Sequence, residues 1–300
     1  MIIIPSNQID KIKWDACIAN SSNGFIYAHS YYLDAMAKEW HGLIVNDYET
    51  VFPIAIKKKF GFPYCYMPAF TQQLGFVGNM NFDEDLAIKQ IIDFVKYGSP
   101  YLNFNNQHFA TKHQCFSRKN YVIDLSKPYY EIKNQYKKST DYSLSKGTKL
   151  KLSYVADENV FEAVSLYQKH NHQYLKQVKN KDYENLQTLL TQLQRTKQVI
   201  IRKAVDANEQ LLSIVLLLKD NKRLYNLINY TTEDGRKCEA NYFLYDNILK
   251  EFSSKPMLFD FEGSDLPGVS AFYEKFGAIN QPFFHWHFNH LPFPLKFFKQ

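Results

Sequence analysis

The sequence predicts an α/β protein of two related domains, each a mixed (α+β) β-sheet flanked by helices. The first observation is an internal repeat: Glu49–Phe104 and Glu209–Phe261 both run through strand, turn, strand, irregular loop, amphipathic helix, short break and strand. The second is the ending of the two segments, which share a Pro-x-Leu sequence beginning at Pro100 and Pro256. Matching order and length favour a duplicated unit over a chance likeness between α/β segments.

The charge of the chain supports the same division. Residues 1–118 contain 10 Lys/Arg and 10 Asp/Glu, so the whole excess of +6 lies in residues 119–300. We therefore predict a first domain over 1–118 and a second over 119–300, with the final segment 281–300 a candidate for packing back on the first domain. A modest basic excess in one domain is a weak indication of a polyanionic partner.

Length and composition exclude several classes of protein. A chain of 300 residues that is 45% hydrophobic can bury a sizeable core, which excludes a wholly disordered protein. Its 4 cysteines are widely separated, which argues against a disulfide scaffold and a cysteine-built zinc site. The apolar start Met1–Pro5 is too short for a signal peptide, and no run is long enough to span a bilayer. These observations predict a cytoplasmic protein.

The first domain begins with helical patterns and continues with strands. Helices are predicted over Gln8–Ala19 and Ser30–Trp40, where apolar residues recur at helical spacing. The acidic run 83–85 precedes a third helical pattern, and carboxylates suit a first turn because they interact with the positive end of the helix dipole. The extended segments predicted here are Gly42–Asp47, Thr50–Lys57, the aromatic segment Pro63–Phe76, and Tyr101–Phe104.

The second domain alternates predicted strands and helices in a longer series. Strands are predicted over Tyr121–Asp124, Leu150–Val155, Val199–Ala204, Leu211–Leu218, Leu224–Tyr230, Met257–Phe261 and Pro282–Phe288. Helices are predicted over Pro128–Lys146, Asp157–His170, Asp182–Gln194, Ala240–Phe252 and Val269–Phe276.

The stretch Val199–Ala278 resembles the catalytic half of the GNAT acyltransferase fold. Its last helix ends in the sequence 272–278, Phe-Tyr-Glu-Lys-Phe-Gly-Ala, which is similar to the GNAT pattern hydrophobic-Tyr-x-x-hydrophobic-Gly-Phe. A duplicated GNAT unit in a chain of this size resembles the FemABX family, aminoacyltransferases that extend peptidoglycan cross-bridges from aminoacyl-tRNA. The segment Asp260–Ser264, followed by Gly268, also resembles FemAB-related acetyltransferases.

This resemblance implies two tandem GNAT-like domains, the first on the acceptor side and the second on the donor side. The implied activity moves an acyl or aminoacyl group to an amine of a nucleotide-, glycan- or peptide-linked acceptor. It implies no tightly bound cofactor, with aminoacyl-tRNA or acyl-CoA as co-substrate. The implied partners are a small-molecule or cell-envelope precursor, tRNA, and a membrane surface contacted peripherally.

The segment before the predicted helix Ala240–Phe252 departs from the acyl-CoA pattern. GNAT enzymes hold the CoA pyrophosphate on a Gly-rich helix start, where backbone N–H groups bind anions. Here Glu239 and Asn241 stand where small residues are expected, which favours a FemABX-like donor over acyl-CoA. Asn241, with the basic residues Arg236 and Lys237, is the candidate donor-binding set.

Three residues are candidates for the chemistry of transfer, which needs a proton for the leaving group and a base for the amine. By resemblance Tyr273 is the general acid, or it simply packs between helix and sheet. FemABX proteins typically have lysine at this position, so we do not expect a lysine-dependent step. Asp260 and Glu262 alternate with Phe259 and Phe261, which places both carboxylates on one strand face if the strand continues. Alternatively, Glu262 caps the following loop.

An aromatic segment of the first domain is the candidate acceptor wall. Tyr66 is followed by the adjacent amides Gln72 and Gln73, and aromatic faces with amide groups suit a sugar or a peptide. The alternative is a buried strand that leads into a polar loop.

Two further patterns have a functional and a structural interpretation. Lysines at 133, 137, 138, 146, 149 and 151, interrupted by tyrosines, suit a phosphate-bearing partner or form a solvated helix face. His285 and His287 would share a strand face, but no carboxylate lies beside them in sequence, so we predict no metal site.

Two alternatives to the FemABX-like transferase stay open on the sequence. One is an acyl-CoA-dependent GNAT N-acetyltransferase, which the altered helix start argues against. The other is a catalytically silent binding module with the same fold, which the missing lysine and glycines allow.

Overall fold

The structure is a computed structural model that describes residues 1–59, 61–113, 115–263 and 265–298. Ser264, the last residue of the motif that begins at Asp260, lies outside the described residues. The chain divides into two compact units, Met1–Arg118 together with Pro282–Gln300, and Lys119–Gln281.

The first unit opens with a series of strands and α-helices. The strands are β1 (Ile2–Pro5), β2 (Trp40–Val45), β3 (Thr50–Lys59), β4 (Phe62–Cys65), β5 (Val77–Gly78), β6 (Tyr97–Gly98), β7 (Tyr101–Leu102) and β8 (Cys115–Arg118). The helices are α1 (Lys11–Asn20), α2 (Ser30–Met36), α3 (Glu84–Val95) and α4 (Gln107–Lys112).

The second unit follows, and the chain then returns to the first. Its strands are β9 (Tyr121–Asp124), β10 (Ser153–Asp157), β11 (Val199–Val205), β12 (Leu211–Lys219), β13 (Arg223–Thr231), β14 (Leu258–Asp260) and β15 (Ile279–Asn280). Its helices are α5 (Tyr129–Lys133), α6 (Lys138–Lys149), α7 (Val160–Asn171), α8 (Asn180–Arg195), α9 (Glu233–Lys237), α10 (Ala240–Phe252) and α11 (Pro267–Glu274). The returning strands are β16 (Phe283–Trp286) and β17 (Phe288–Asn289).

The two large sheets have the same strand order and the same pairing directions. In the first unit the order is β1-β2-β3-β4-β6-β17, and in the second the corresponding path is β10-β11-β12-β13-β14-β9. In both, the first three pairs are antiparallel, the fourth is parallel and the fifth is antiparallel. The prediction of two related units of mixed sheet and helices is therefore confirmed.

The sheets differ in where their last matched strand lies along the chain. In the second unit it is β9, which precedes the rest of the sheet, whereas in the first unit it is β17, near the end of the chain. Strand β16 also pairs with β7 and β8 in a separate three-stranded sheet of the first unit. The second unit therefore ends at Gln281, and the final segment, which the sequence offered as a candidate for packing on the first domain, belongs to the first unit from Pro282 onward.

The Pro-x-Leu correspondence between the two segments is wrong. The counterpart of β14 is β6, which pairs in parallel with β4 through Cys65 and Gly98. Helix α3 ends with Lys96 in the left-handed conformation, and the chain enters β6 at once. Strand β7, which the shared ending had matched to β14, pairs with β16 instead.

Two other segments differ from their predicted structure. The extended pattern over Pro63–Phe76 forms a strand only through Cys65, and the positive φ of Phe70 and Gly75 turns the chain beyond it. The single helix predicted over Pro128–Lys146 is the pair α5 and α6, because Lys137 between them is extended and its N–H donates to the Lys275 carbonyl.

Helices α10 and α11 pack on the second sheet and share one hydrophobic core with it. Helix α10 has the predicted bounds and buries Leu244, Tyr245, Ile248 and Leu249 in the core of the unit. Aromatic side chains of β14 and α11 join the same core, including Phe259. None of the described helices combines the length and the apolar character that crossing a bilayer requires.

Candidate functional site

The site begins where two parallel strands of the second unit separate. Strands β13 and β14 pair over three positions, ending at Tyr225 opposite Asp260. Just beyond this point β13 has a bulge, because its register with β12 shifts between Leu216 and Leu218. Asn226 and Leu227 together face a single residue of β12 there, so the strand bends away from its regular pairing.

A pocket of about 380 Å³ opens at this separation. Its walls come from α7, the bulged part of β13, the start of α10, the end of β14 and α11. The lining residues are Tyr167, Asn226, Leu227, Asn229, Asn241, Phe261, Glu262, Gly263, Gly268, Val269, Phe272 and Tyr273. Three of the residues singled out in the sequence, Asn241, Glu262 and Tyr273, are thus brought together.

Tyr273 lies in the pocket wall with its ring stacked on Phe261, at a centroid distance of 4.4 Å. Burial raises the pKa of Tyr273 well above its usual value, and the negative charge of Glu262 adds to the effect. A hydrogen bond with the Asn226 side chain acts in the opposite sense. The hydroxyl is consequently protonated at neutral pH and can donate a hydrogen bond or a proton into the pocket.

Glu262 and Asp260 do not share a strand face, so that prediction is wrong. Strand β14 ends at Asp260, and Glu262 has a φ of 62°, in the left-handed region, which breaks the alternation of an extended chain. Glu262 lines the pocket, whereas Asp260 does not.

Asp260, the last residue of β14, is instead fully buried. Its Oδ2 lies 2.7 Å from Arg223 Nη1, and its Oδ1 accepts a hydrogen bond of 2.9 Å from the Glu262 N–H. Burial raises the pKa of Asp260, while Arg223, the Glu262 N–H and Asn120 oppose that rise. The geometry makes Asp260 a residue that holds the Glu262 turn in place.

The candidate donor-binding residues separate into two groups. Asn241 lines the pocket, and its Oδ1 accepts hydrogen bonds from Ser213 Oγ (2.7 Å) and Thr231 Oγ1 (2.6 Å). Arg236 and Lys237 lie outside the pocket lining on the short helix α9. Arg236 Nη1 donates to the Thr231 carbonyl at 2.7 Å, and Lys237 pairs with acidic residues of its own helix.

The start of α10 carries a negative charge where the acyl-CoA pattern has a small residue. Glu239 is the N-cap residue of α10, in the left-handed conformation that favours glycine. Its Oε1 lies 4.0 Å from Lys146 Nζ. The side chain makes no capping hydrogen bond, so Glu239 acts on an approaching phosphate through the repulsion of its negative charge.

The candidate acceptor residues belong to the first unit and are not among the residues that line this pocket. Tyr66 Oη accepts from the Lys38 N–H at 3.1 Å, and Lys57 Nζ lies 3.9 Å from its ring centroid. Gln73 is buried and its Nε2 donates to Gln72 Oε1 at 2.6 Å. Gln73 Oε1 has no hydrogen-bond partner among the described residues.

Comparison with known proteins identifies the fold. No family model matches the chain, and no curated protein matches its sequence. Among solved structures, FemX superposes with a TM-score of 0.70 at 12% identity, with 100% of each chain covered. The chain has the FemX fold.

Two lysylphosphatidylglycerol synthetase structures are also similar. The C-terminal domain assigned to such an enzyme from Agrobacterium fabrum has a TM-score of 0.57 at 12% identity, covering 93% of this chain and 91% of that one. L-PGS from Bacillus licheniformis has a TM-score of 0.54 at 11% identity, covering 96% and 95%. At these identities the likeness establishes the fold.

Within this FemX fold, sequence reasoning missed the asparagines of β13. Asn226 Nδ2 donates to the Phe261 carbonyl at 3.4 Å, and its buried Oδ1 has no partner within the described part of the chain. Asn229 Nδ2 donates to Tyr245 Oη at 2.6 Å. Side chains of a regular strand alternate between its two faces, so residues three apart lie on opposite faces. Asn226 and Asn229, three apart in a largely apolar strand, depart from that alternation, and this signal could have predicted the bulge.

The histidines of the returning strands have structural partners. His285 Nε2 lies 2.6 Å from Ser99 Oγ, and the rings of His285 and Tyr101 meet edge to face at 4.9 Å. Within residues 1–59, 61–113, 115–263 and 265–298, no three His, Cys, Asp or Glu side chains group as metal ligands.

Proposed function

We propose that this protein is an acyltransferase that moves an acyl or aminoacyl group to an amine. The observation that carries the proposal is the pocket between β13 and β14, with the protonated hydroxyl of Tyr273 in its wall. Pairing between these strands ends at Tyr225, so the bulged β13 backbone faces a space in which an acyl group can lie. The similarity to FemX supports the proposal at the level of fold.

The residues of the pocket suggest how the transfer would proceed. The acceptor nitrogen attacks the acyl carbon, and backbone N–H groups at the bulge stabilise the oxyanion that forms. Glu262 takes the proton released by the nitrogen. The bond to the leaving group then breaks, and Tyr273 donates its proton to the departing atom. Glu262 then releases its proton to solvent and Tyr273 takes one up, so both groups return to their starting states. Asp260 is a positioning residue, because it holds the Glu262 N–H.

Aminoacyl-tRNA is the donor that we propose, in preference to acyl-CoA. The carboxylate of Glu239 at the start of α10 disfavours a pyrophosphate at that helix end. The resemblance of the duplicated GNAT unit to the FemABX family points to the same donor class. The acceptor is an amine on a nucleotide-, glycan- or peptide-linked compound.

The test is a transfer assay with the full chain. Pooled aminoacyl-tRNA and acetyl-CoA are offered separately with amines of the three acceptor classes, and products are identified by mass. We expect product from aminoacyl-tRNA and a fall of about 10²-fold for Tyr273→Phe. Tyr130→Phe, which removes a hydroxyl from a tyrosine that is 64% exposed, is the matched control and should keep the full rate. Turnover with acetyl-CoA alone would contradict the proposed donor.

A binding module without catalysis is the second candidate. Tyr273 is only 9% exposed and packs on Phe261, as a purely structural residue would. This function predicts that an acceptor amine binds while neither donor is consumed, and that Tyr273→Phe leaves binding unchanged.

A further inference from the structure

The strongest feature outside the pocket is the charge of the segment that contains α5 and α6. Residues 127–151 contain 7 lysines and 2 acidic residues, a net charge of +5 against +6 for the whole chain. A concentration of this kind creates a local positive potential that attracts polyanions.

Helix α6 arranges part of this charge on one exposed face. Lys138, Tyr142, Ser145 and Lys149 follow the spacing i, i+4, i+7, i+11, so their side chains lie along one line of the helix. All four are exposed, and Tyr142 is 72% exposed. The buried residues Thr140, Ser143 and Gly147 lie on the opposite side.

The lysines of this face have few acidic neighbours. Within the described part of the chain, no carboxylate forms an ion pair with Lys138, Lys149 or the adjacent Lys151, whereas Lys137 and Lys146 are paired with Glu274 and Glu239. Asp141 is the one carboxylate of α6, and helical spacing places it to the side of the line from Lys138 to Lys149.

The same helix is attached to the elements that line the pocket. At its start, the Lys137 N–H and Thr140 Oγ1 donate to the Lys275 carbonyl, two residues after Tyr273. At its other end, Lys146 Nζ donates to the Lys237 carbonyl at 2.6 Å, just before α10. The buried side of α6 therefore packs towards the elements that supply pocket residues, and its exposed face forms the outer surface over them.

We propose that this face of α6 (Lys138, Tyr142, Ser145 and Lys149) is a docking surface for the sugar–phosphate backbone of RNA. The inference rests on the proposed function, since the donor proposed there is an RNA, whose backbone would contact a basic surface outside the pocket. The two lysines are about 16 Å apart along the helix, which spans several phosphates. The exposed Tyr142 ring between them offers a surface on which a base can stack.

An anionic membrane is the other polyanion to consider, and the apolar content of the face decides against it. A helix that lies in a bilayer interface needs a continuous apolar face as well as basic residues. On α6 the exposed face has Tyr142 alone among large apolar side chains, followed by Leu150 after the helix end.

The test measures binding of fluorescein-labelled, unacylated tRNA to the full chain by anisotropy over a range of salt concentrations. We expect the double variant Lys138→Glu/Lys149→Glu to bind about 10-fold more weakly or worse. The salt slope should fall by roughly 0.7–0.9 for each phosphate that a lysine no longer neutralises. Tyr142→Ala should weaken binding about 5-fold and Tyr142→Phe should not, because stacking needs only the ring. Thermal melting checks that each variant is folded.

Lys89→Glu/Lys112→Glu is the matched control, with the same charge change on exposed helical lysines of α3 and α4. Equal weakening in this control, or no tRNA binding by the natural sequence at low salt, would overturn the docking surface. Binding to phosphatidylglycerol vesicles that tRNA does not displace would overturn it in favour of a membrane. Because unacylated tRNA needs no catalysis, binding that maps to α6 without any transfer would refute the proposed function alone.

Discussion

Arg223 and Asp260 form a buried ion pair between adjacent parallel strands, with Arg223 Nη1 2.7 Å from Asp260 Oδ2. Their side chains are 4% and 0% exposed. Arg223 also donates to Gln281 Oε1 at 2.7 Å, and Asp260 accepts from the Glu262 N–H. The pair thus joins β13 to β14 immediately before they separate and links that joint to the turn that carries Glu262.

Breaking this pair from one side should destabilise the second unit strongly. Arg223→Met leaves the Asp260 carboxylate buried without its cation, and we expect the free energy of unfolding to fall by about 3–5 kcal/mol in urea titrations. Lys181→Met, which breaks the exposed pair with Glu184 on α8, is the control and should change little. A decrease for Arg223→Met no larger than that of the control would show that the pair does not hold the strands together.

Removing the carboxylate of Glu262 should slow transfer without preventing folding. Glu262→Gln keeps the side-chain shape at the pocket edge but cannot accept the proton of the acceptor amine, so we expect kcat to fall about 10²-fold. Initial rates with the donor that proves active measure the effect. The control is Glu209→Gln, in the exposed turn before β12, which should keep the full rate. An unchanged rate for Glu262→Gln would assign the residue to the loop structure.

Gly235 should not tolerate a side chain, because its helix packs directly on a strand. A Cβ at this position would lie 2.0 Å from the Leu212 carbonyl oxygen of β12, and a backbone atom cannot move aside easily. We expect Gly235→Ala to cost about 1–3 kcal/mol, measured as a lower melting temperature. Gly268→Ala is the control, since nothing lies within 4 Å of its Cβ position. Equal melting temperatures for the two variants would contradict this packing.

Asp15 links α1 to the start of α2 and should contribute a pH-dependent part of the stability of the first unit. Burial raises the pKa of Asp15, but hydrogen bonds from His29, the Ser30 N–H and Ser30 Oγ outweigh it and hold the pKa below its usual value. A lowered pKa in the folded state means that the stabilisation is complete above about pH 4 and is lost as the pH falls through the folded value.

We therefore expect Asp15→Asn to lower the free energy of unfolding by roughly 1–2 kcal/mol at pH 7. The difference from the natural sequence should shrink as the pH falls below about 4 towards the lowered folded-state pKa, because the carboxyl is protonated first in the unfolded chain. Melting temperatures measured from pH 3 to pH 7 give the comparison. Asp47→Asn, at a side chain that is 75% exposed, should show little effect at any of these values. A constant difference for Asp15→Asn across the range would contradict the claim that the ionised carboxylate of Asp15 stabilises the first unit.

Local patterns accounted for much of the architecture. Helix α10 runs over the predicted Ala240–Phe252, since its apolar spacing defines one buried face. Helix α3 begins within the acidic run, at Glu84, because Asp83 caps it through the Leu86 N–H at 2.9 Å. The repeat of two strands, a helix and a further strand was visible in the order of these elements, although the strand matched to β14 was β7 and not β6. Each of these features depends on residues close together in the chain, so periodicity and capping reveal them.

The candidate site depended on contacts between residues far apart in the chain. Asp260 and Glu262 looked equivalent until the Arg223 ion pair and a left-handed turn gave them different environments. Likewise, the same place in the two sheets is filled by strands from different parts of the chain, β17 in the first sheet and β9 in the second. The residues of a strand alone do not indicate which sheet edge it pairs with.

The tandem arrangement of two α/β units and the confinement of the positive charge to residues 119–300 were therefore properties of the sequence alone. Folding decided which polar groups meet: Asn226, Glu262 and Tyr273 come from three separate segments and line one pocket only because β13 bulges and leaves β14. Periodicity describes which face of an element is buried. Which other element that face packs against depends on contacts between distant parts of the chain. The side chains that could perform chemistry in this pocket are brought together by those contacts.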